Sequence, residues 1–337
     1  MKHIDEILRK IFAENKIAGM AVAITDKSKI VYSRGFGVDS VMRSDAGAMP
    51  DSLYRIASIT KLITGMSIMR LKEKGVLELD RPIKEYLPWL ELKDEKATNV
   101  LTLRHLLSHT AGLPAEYTPE GAREESTLEQ SLKDGLPTLK LHALPGDGAY
   151  LYSNWGIRLA SRVAEVCANK PFSKIAHELI IDPLNMTSTT FDLRTAATYP
   201  LSLPHIENEK GELIVYHHIN ENAARLAAGG LYSNTTDLCK LLRLILNDGI
   251  SDSGNRIISS QSLAQMKERH SASYGLTMVV RDWNDRIIYG HNGSAPPYAT
   301  CVATEPECGY GVVILMNTER NELRFKIPEM IFEQLIK

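Results

Sequence analysis

Tyr54-Arg55-Ile56-Ala57-Ser58-Ile59-Thr60-Lys61 opens a helical stretch that runs from about Ser58 to Lys74. Leu62, Ile63, Met66, Met69 and Leu71 recur along it and predict one buried stripe; Gly75 stands where a C′ glycine would end the helix. Upstream, residues 19–25 are rich in Val, Ile and Ala, Asp26-Lys27-Ser28 reads as a turn, and residues 30–33 are β-branched or aromatic, which together predict a hairpin. Downstream, between about 80 and 268, strand signals are scarce. Helical segments such as 103–107, 156–167 and 237–246 alternate there with Pro and Gly breaks. Strand signals return at 275–280, 286–289, 298–303 and 311–316, followed by an amphipathic helix over 324–336. The simplest closure pairs the strands from both chain ends into one antiparallel sheet and inserts the middle as helices. The expected fold is therefore α/β plus all-α. Residues 1–80 and 269–337 would form the sheet domain and 81–268 a mostly helical insert, with the active site in the cleft between them.

Composition narrows the function. The 337 residues are 44% hydrophobic and 24% charged, as in ordinary globular chains and unlike disordered or repetitive ones. Lys plus Arg (39) nearly balances Asp plus Glu (41), so no global field favours nucleic acid or an anionic membrane as partner. The first residues read as an amphipathic surface helix in place of a signal peptide, and the apolar runs at 17–24 and 312–316 are too short to span a bilayer. A cytoplasmic protein is expected. Its four cysteines, Cys167, Cys239, Cys301 and Cys308, contain no C-x-x-C and are expected as reduced structural thiols.

Three short segments carry chemistry. Ser58 and Lys61 are three apart on a helix, so their side chains can meet. A serine hydroxyl becomes nucleophilic when a base takes its proton, and a lysine can be that base when desolvation or a nearby cation favours the free amine. An N-cap serine followed by a solvated lysine explains the same spacing. After the break Pro145-Gly146-Asp147-Gly148 comes Tyr150-Leu151-Tyr152-Ser153-Asn154. The Tyr152 phenol near a cation can relay protons and the Asn154 amide can orient a carbonyl; a core tyrosine and a turn asparagine are the structural alternative. Third is Gly290-His291-Asn292-Gly293-Ser294. Here Gly293 would allow close backbone approach to a ligand, the Ser294 N–H paired with that of Ser58 would form an oxyanion hole, and His291 would place a polar or positive group at the rim. An ordinary Asn-Gly hairpin loop fits as well.

Taken together and in this order, the three segments resemble the serine β-lactamase and penicillin-binding-protein superfamily. Tyr152-Ser153-Asn154 resembles the Tyr-x-Asn of class C β-lactamases and family VIII esterases. His291-Asn292-Gly293 resembles the His-x-Gly that replaces Lys-Thr-Gly in many esterases and D-amino-acid peptidases. The likeness runs almost end to end, through Gly75-Val76-Leu77-Glu78-Leu79-Asp80, Tyr86-Leu87-Pro88, the Leu103-Arg104-His105-Leu106-Leu107-Ser108-His109-Thr110-Ala111-Gly112-Leu113-Pro114 stretch, Pro183-Leu184-Asn185-Met186 and Ala228-Gly229-Gly230-Leu231-Tyr232-Ser233. The resemblance implies an acyl-enzyme at Ser58, with Lys61 and Tyr152 sharing the proton transfers. Asn154, His291, Gly293 and Ser294 would bind a small ester, amide or peptide substrate. Two departures stand out. Ala295-Pro296-Pro297-Tyr298 has proline where the family often has glycine, and His291 replaces a permanently charged lysine, which argues for esters or amides over β-lactams.

Other chemistries fit less well. His105 and His109 are four apart and His217-His218 adjacent, but the first pair lacks the glutamate of H-E-x-x-H and no third ligand is evident, so no metal is expected. Neither a G-x-S-x-G elbow nor a nucleotide-binding loop is present, and no cofactor is expected. Acyl transfer to an alcohol or amine, penicillin binding or β-lactamase activity, and a non-catalytic sensor or scaffold are the alternatives. Oligomeric state is not readable. Tyr232, Tyr298 and residues 116–128 are expected near the cleft by position.

Overall fold

The computed structural model describes residues 1–43, 45, 47–115, 126–218, 222–271 and 273–336. Its strands in chain order are Gly19–Thr25 (β1), Ile30–Gly37 (β2), Tyr54–Arg55 (β3), His205–Glu207 (β4), Leu213–Val215 (β5), Tyr232–Ser233 (β6), Val279–Trp283 (β7), Arg286–Ala295 (β8), Tyr298–Glu305 (β9) and Tyr310–Met316 (β10). Its longer helices are Lys2–Glu14 (α1), Thr60–Glu73 (α2), Ser126–Gly135 (α3), Asn154–Ala168 (α4), Thr235–Leu246 (α5) and Leu323–Ile336 (α6). No helix among the described residues is long and apolar enough to cross a membrane.

Both ends of the chain build one antiparallel sheet in the order β2-β1-β10-β9-β8-β7. β1 is buried along its whole length, and its alternate residues serve two cores. Met20, Val22 and Ile24 face α1 and α6 through Ile4, Leu8, Ile327 and Phe332, while Ala21 and Ala23 face the larger core that contains α2. The register Met20↔Met316 and Val22↔Ile314 keeps like faces together across the β1–β10 pair. In the first hairpin, the Asp26 carboxylate accepts N–H bonds from Ser28 and Lys29, as a turn aspartate does.

The chain departs from its sequence-level reading in several places. α2 is not a one-stripe helix: Thr60 to Met69 are all buried, because it lies between the sheet and the helical layer. It ends as expected, with Gly75 at φ +69°, Gly75 N–H donating to Lys72 O and Val76 N–H to Leu71 O. The region between 80 and 268 holds three short strands (β4, β5 and β6), and α5 within it packs on the sheet. The strand expected at 275–280 begins only at Val279, since Thr277 turns through φ +55° and donates its N–H to Leu107 O. The Asn-Gly pair is no hairpin turn. Residues 291–294 lie inside β8, paired with β9, and Pro296-Pro297 makes the turn.

Candidate active site

Ser58 is set by a strained turn. β3 pairs with β6, Ile56 N–H donates to Leu231 O at 2.9 Å, and the chain then enters a 3₁₀ turn over Ala57–Ile59 that leads into α2. Ala57 sits at φ +50°, a left-handed conformation that costs a side-chain-bearing residue about 1 kcal/mol. Thr60 Oγ1 holds the turn closed, donating to Ala57 O at 2.6 Å. Lys61, fully buried one turn on, donates from Nζ to Ser58 Oγ at 2.9 Å and to Ala228 O at 2.7 Å. The Ala227-Ala228 segment is therefore part of the site's frame: Thr64 Oγ1 also donates to Ala227 O at 2.7 Å.

Tyr152 and Asn154 come from the start of α4. Ser153 between them is extended at φ −135°, so successive side chains alternate. Ser153 turns inward, its hydroxyl on Pro114 O at 2.7 Å and its N–H on His109 Nδ1 at 3.2 Å. Tyr152 and Asn154 are left facing the cleft. The Tyr152 ring centroid lies 4.9 Å from Lys61 Nζ and 4.4 Å from the His109 ring.

β8 supplies the opposite wall. It outruns β7, whose pairing ends at Gly290, so residues 291–294 form a sheet edge against the nucleophile's turn. Gly293 is needed there for a reason other than ligand approach. A Cβ would stand 2.3 Å from Ile56 O and 2.1 Å from Thr300 Oγ1, and that hydroxyl itself donates to Ile56 O at 3.0 Å. The missing side chain lets the strand lie directly on the turn that carries Ser58. Ser294 is exposed in the cleft wall.

His291 is not at the rim and carries no positive charge. It is 4% exposed, and burial, followed by the Lys61 cation, holds its pKa down to about 3. Its Nδ1 lies 2.7 Å from Asn292 O, which can only accept, so Nδ1 carries the proton. Nε2 is then an acceptor and takes the Tyr274 hydroxyl at 2.8 Å. Both ring nitrogens are thus satisfied within the chain. Tyr274 is buried, and burial raises its pKa well above the usual range.

Spacing alone missed Tyr274, His109, Arg158 and Arg324. Tyr274 precedes β7 and is bridged to Val279, which pairs with Gly290 next to His291. His109 and His105, considered together as a metal pair, do different things: His105 caps the helix Leu103–Leu107 with Thr102, and His109 lies in the aromatic cluster at φ +58°. Burial, then Lys61, keeps His109 neutral. Arg324, from the first turn of α6, donates to Gly293 O at 2.7 Å. Tyr232 and Tyr298 are core residues away from the cleft, the latter bonded to Ser202 O. Residues 116–125 lie outside the described residues.

Ser58, Tyr152, Asn154, His291 and Ser294 border one cleft of about 680 Å³. A deeply buried amine touches the hydroxyl, a phenol stands beside the amine, and the β8 strand edge lies opposite. That arrangement can deprotonate an alcohol and hold a carbonyl against it.

The family profile described as Beta-lactamase matches residues 4–335. Among curated relatives, Protein flp of Staphylococcus aureus strain N315 is 23% identical over 343 residues, which cover 99% of this chain; the chain spans 66% of that relative's length. Among solved structures, the octameric penicillin-binding protein homologue from Pyrococcus abyssi superposes with a TM-score of 0.84 at 22% identity, covering 99% of this chain and 77% of its own. EstCE1, described as a hydrolase with promiscuous acyltransferase activity, gives 0.82 at 19% identity and covers 100% and 98%. The sheet order and flanking helices described above are those of a β-lactamase-like fold.

Proposed function

The chain belongs to the Beta-lactamase family, and from that premise we propose that it is a serine hydrolase acting through an acyl-enzyme at Ser58. The observation that carries this reading is the 2.9 Å contact between Ser58 Oγ and the buried Lys61 Nζ at the floor of the cleft. As a free amine, Lys61 takes the Ser58 proton while Oγ bonds to the substrate carbonyl carbon. The tetrahedral oxyanion is held by the N–H groups of Ser58 and Ser294. The bond to the alcohol or amine then breaks, with a proton returned by the Lys61–Tyr152 pair. Water repeats the sequence and frees the acid. Asn154 orients the substrate carbonyl. His291 serves by fixing Tyr274 and the Asn292–Ser294 edge, since its own nitrogens are already engaged.

Small esters, or amides of short peptides, are the substrate class favoured. A neutral His291 gives a penicillin carboxylate no ion pair at that position. The similarity to EstCE1, whose description includes acyltransferase activity, supports an alcohol or amine as a second acceptor for the same intermediate. The proposed division sets residues 1–80 with 269–337 against 81–268, the cleft lying between them. A cytoplasmic location is part of the same reading, in keeping with four unpaired cysteines.

Intact-protein mass spectrometry tests the nucleophile. A fluorophosphonate should add once to the wild type and not to Ser58→Ala, which should also lose p-nitrophenyl ester turnover. Equal labelling of both proteins, or turnover surviving in the variant, would overturn the assignment.

A further inference from the structure

Among the described residues, the side chains bordering the cleft include four arginines, Arg55, Arg158, Arg225 and Arg324, and no aspartate or glutamate. Arg158 is the most unusual of them. It stands one helical turn beyond Asn154 on α4, so the two side chains share a face. It is 2% exposed. Its Nη2 donates to Ser131 Oγ, and its guanidinium carbon lies 4.2 Å from the Trp155 ring centroid. Its Nε is buried with no hydrogen-bond partner, and no carboxylate among the described residues pairs with it. Arg225, in the same wall, acts on it with a charge of the same sign. Burial and that neighbour lower its pKa to about 10, which still leaves it cationic at neutral pH.

A desolvated cation with an unused N–H is unfavourable unless an anion completes it. Stacking on Trp155 and one hydroxyl hold the guanidinium in place without neutralising it. We propose that the α4 wall of the cleft is a carboxylate subsite centred on Arg158, and that the substrate bears a free carboxylate near the carbonyl that Asn154 orients. The proposal rests on the acyl-enzyme reading and specifies its substrate class. It places the anion on the α4 side, away from Arg324, which is engaged by the Gly293 carbonyl.

Two matched ester pairs test it. 4-Nitrophenyl hemisuccinate against its methyl ester puts the carboxylate on the acyl part, and 4-butyryloxybenzoate against its methyl ester puts it on the leaving group. In at least one pair the acid should exceed its methyl ester in kcat/KM by about tenfold or more, the worth of one charge-assisted contact. That acid-to-ester ratio should fall toward one in Arg158→Gln and be partly kept in Arg158→Lys. Because the ratio is internal to each protein, a general loss of folded enzyme does not move it. No preference for the acid in either wild-type pair, or a preference unchanged in Arg158→Gln, overturns the subsite. Ser58-dependent turnover that ignores the carboxylate removes this inference and leaves the acyl-enzyme. Absence of Ser58-dependent turnover of all four esters removes both.

Discussion

Tyr274, just before β7, and His291 in β8, seventeen residues apart, share a 2.8 Å hydrogen bond beneath the cleft. The carbonyl of Asn292 occupies the other imidazole nitrogen, so the phenol must donate and the ring must be the Nδ1–H tautomer. One buried chain of donors and acceptors therefore runs from Tyr274 through His291 to the backbone of the β8 edge.

Tyr274→Phe removes the donor and leaves His291 Nε2 buried without a partner. The expected cost is about 1–3 kcal/mol of stability, visible as a lower midpoint in urea unfolding. If the network positions the strand edge, kcat should also fall while fluorophosphonate labelling of Ser58 is retained. An unchanged midpoint would show that the bond contributes nothing.

Lys61→Met keeps bulk in the buried position but removes the amine that touches Ser58 Oγ and Ala228 O. Loss of a positioned base predicts a fall in kcat of about 10²–10⁴ for any ester the wild type turns over. Circular dichroism of the variant checks that the fold survives, and activity within threefold of wild type would exclude Lys61 as the base.

Stability should decline in mild acid. Burial holds the folded-state pKa of His291 down to about 3 and that of His109 well below the ordinary value of 6.5. The unfolded chain therefore binds protons that the folded chain refuses. Stability is complete above the unfolded value and is lost as pH falls below it, by about 1.4 kcal/mol per pH unit for each ring. Denaturant midpoints between about pH 7 and 5 should drop in the wild type and drop less steeply in His291→Gln. Identical slopes would contradict the assignment.

Gly293→Ala places a methyl group where Ile56 O and Thr300 Oγ1 already stand. The strand edge must move off the turn that carries Ser58, costing about 1–3 kcal/mol and displacing the proposed oxyanion donors. The measurable result is a fall in kcat larger than any change in KM. Full activity would show that the edge is not part of the site.

Much of this protein is legible in the one-dimensional chain. Apolar and β-branched runs marked β1, β2, β9 and β10, because strands buried on both faces, as β1, β9 and β10 are, read as continuous apolar stretches. Ser58 and Lys61 were readable as a pair because one helical turn brings them together, and Tyr152 and Asn154 because one extended residue separates them. Those contacts are local, and local geometry follows from spacing. What spacing could not supply was whatever depends on a distant segment. The neutral state of His291 comes from burial and from Tyr274 and Lys61, and the use of Gly293 comes from a carbonyl 237 positions earlier, at Ile56. Arg158 reads in the chain as an ordinary polar helix residue. Only tertiary packing takes it out of water and leaves it in the cleft wall without a carboxylate partner among the described residues. Charge, tautomer and solvent access are set by what surrounds a group in three dimensions, and it was the folded chain that decided them.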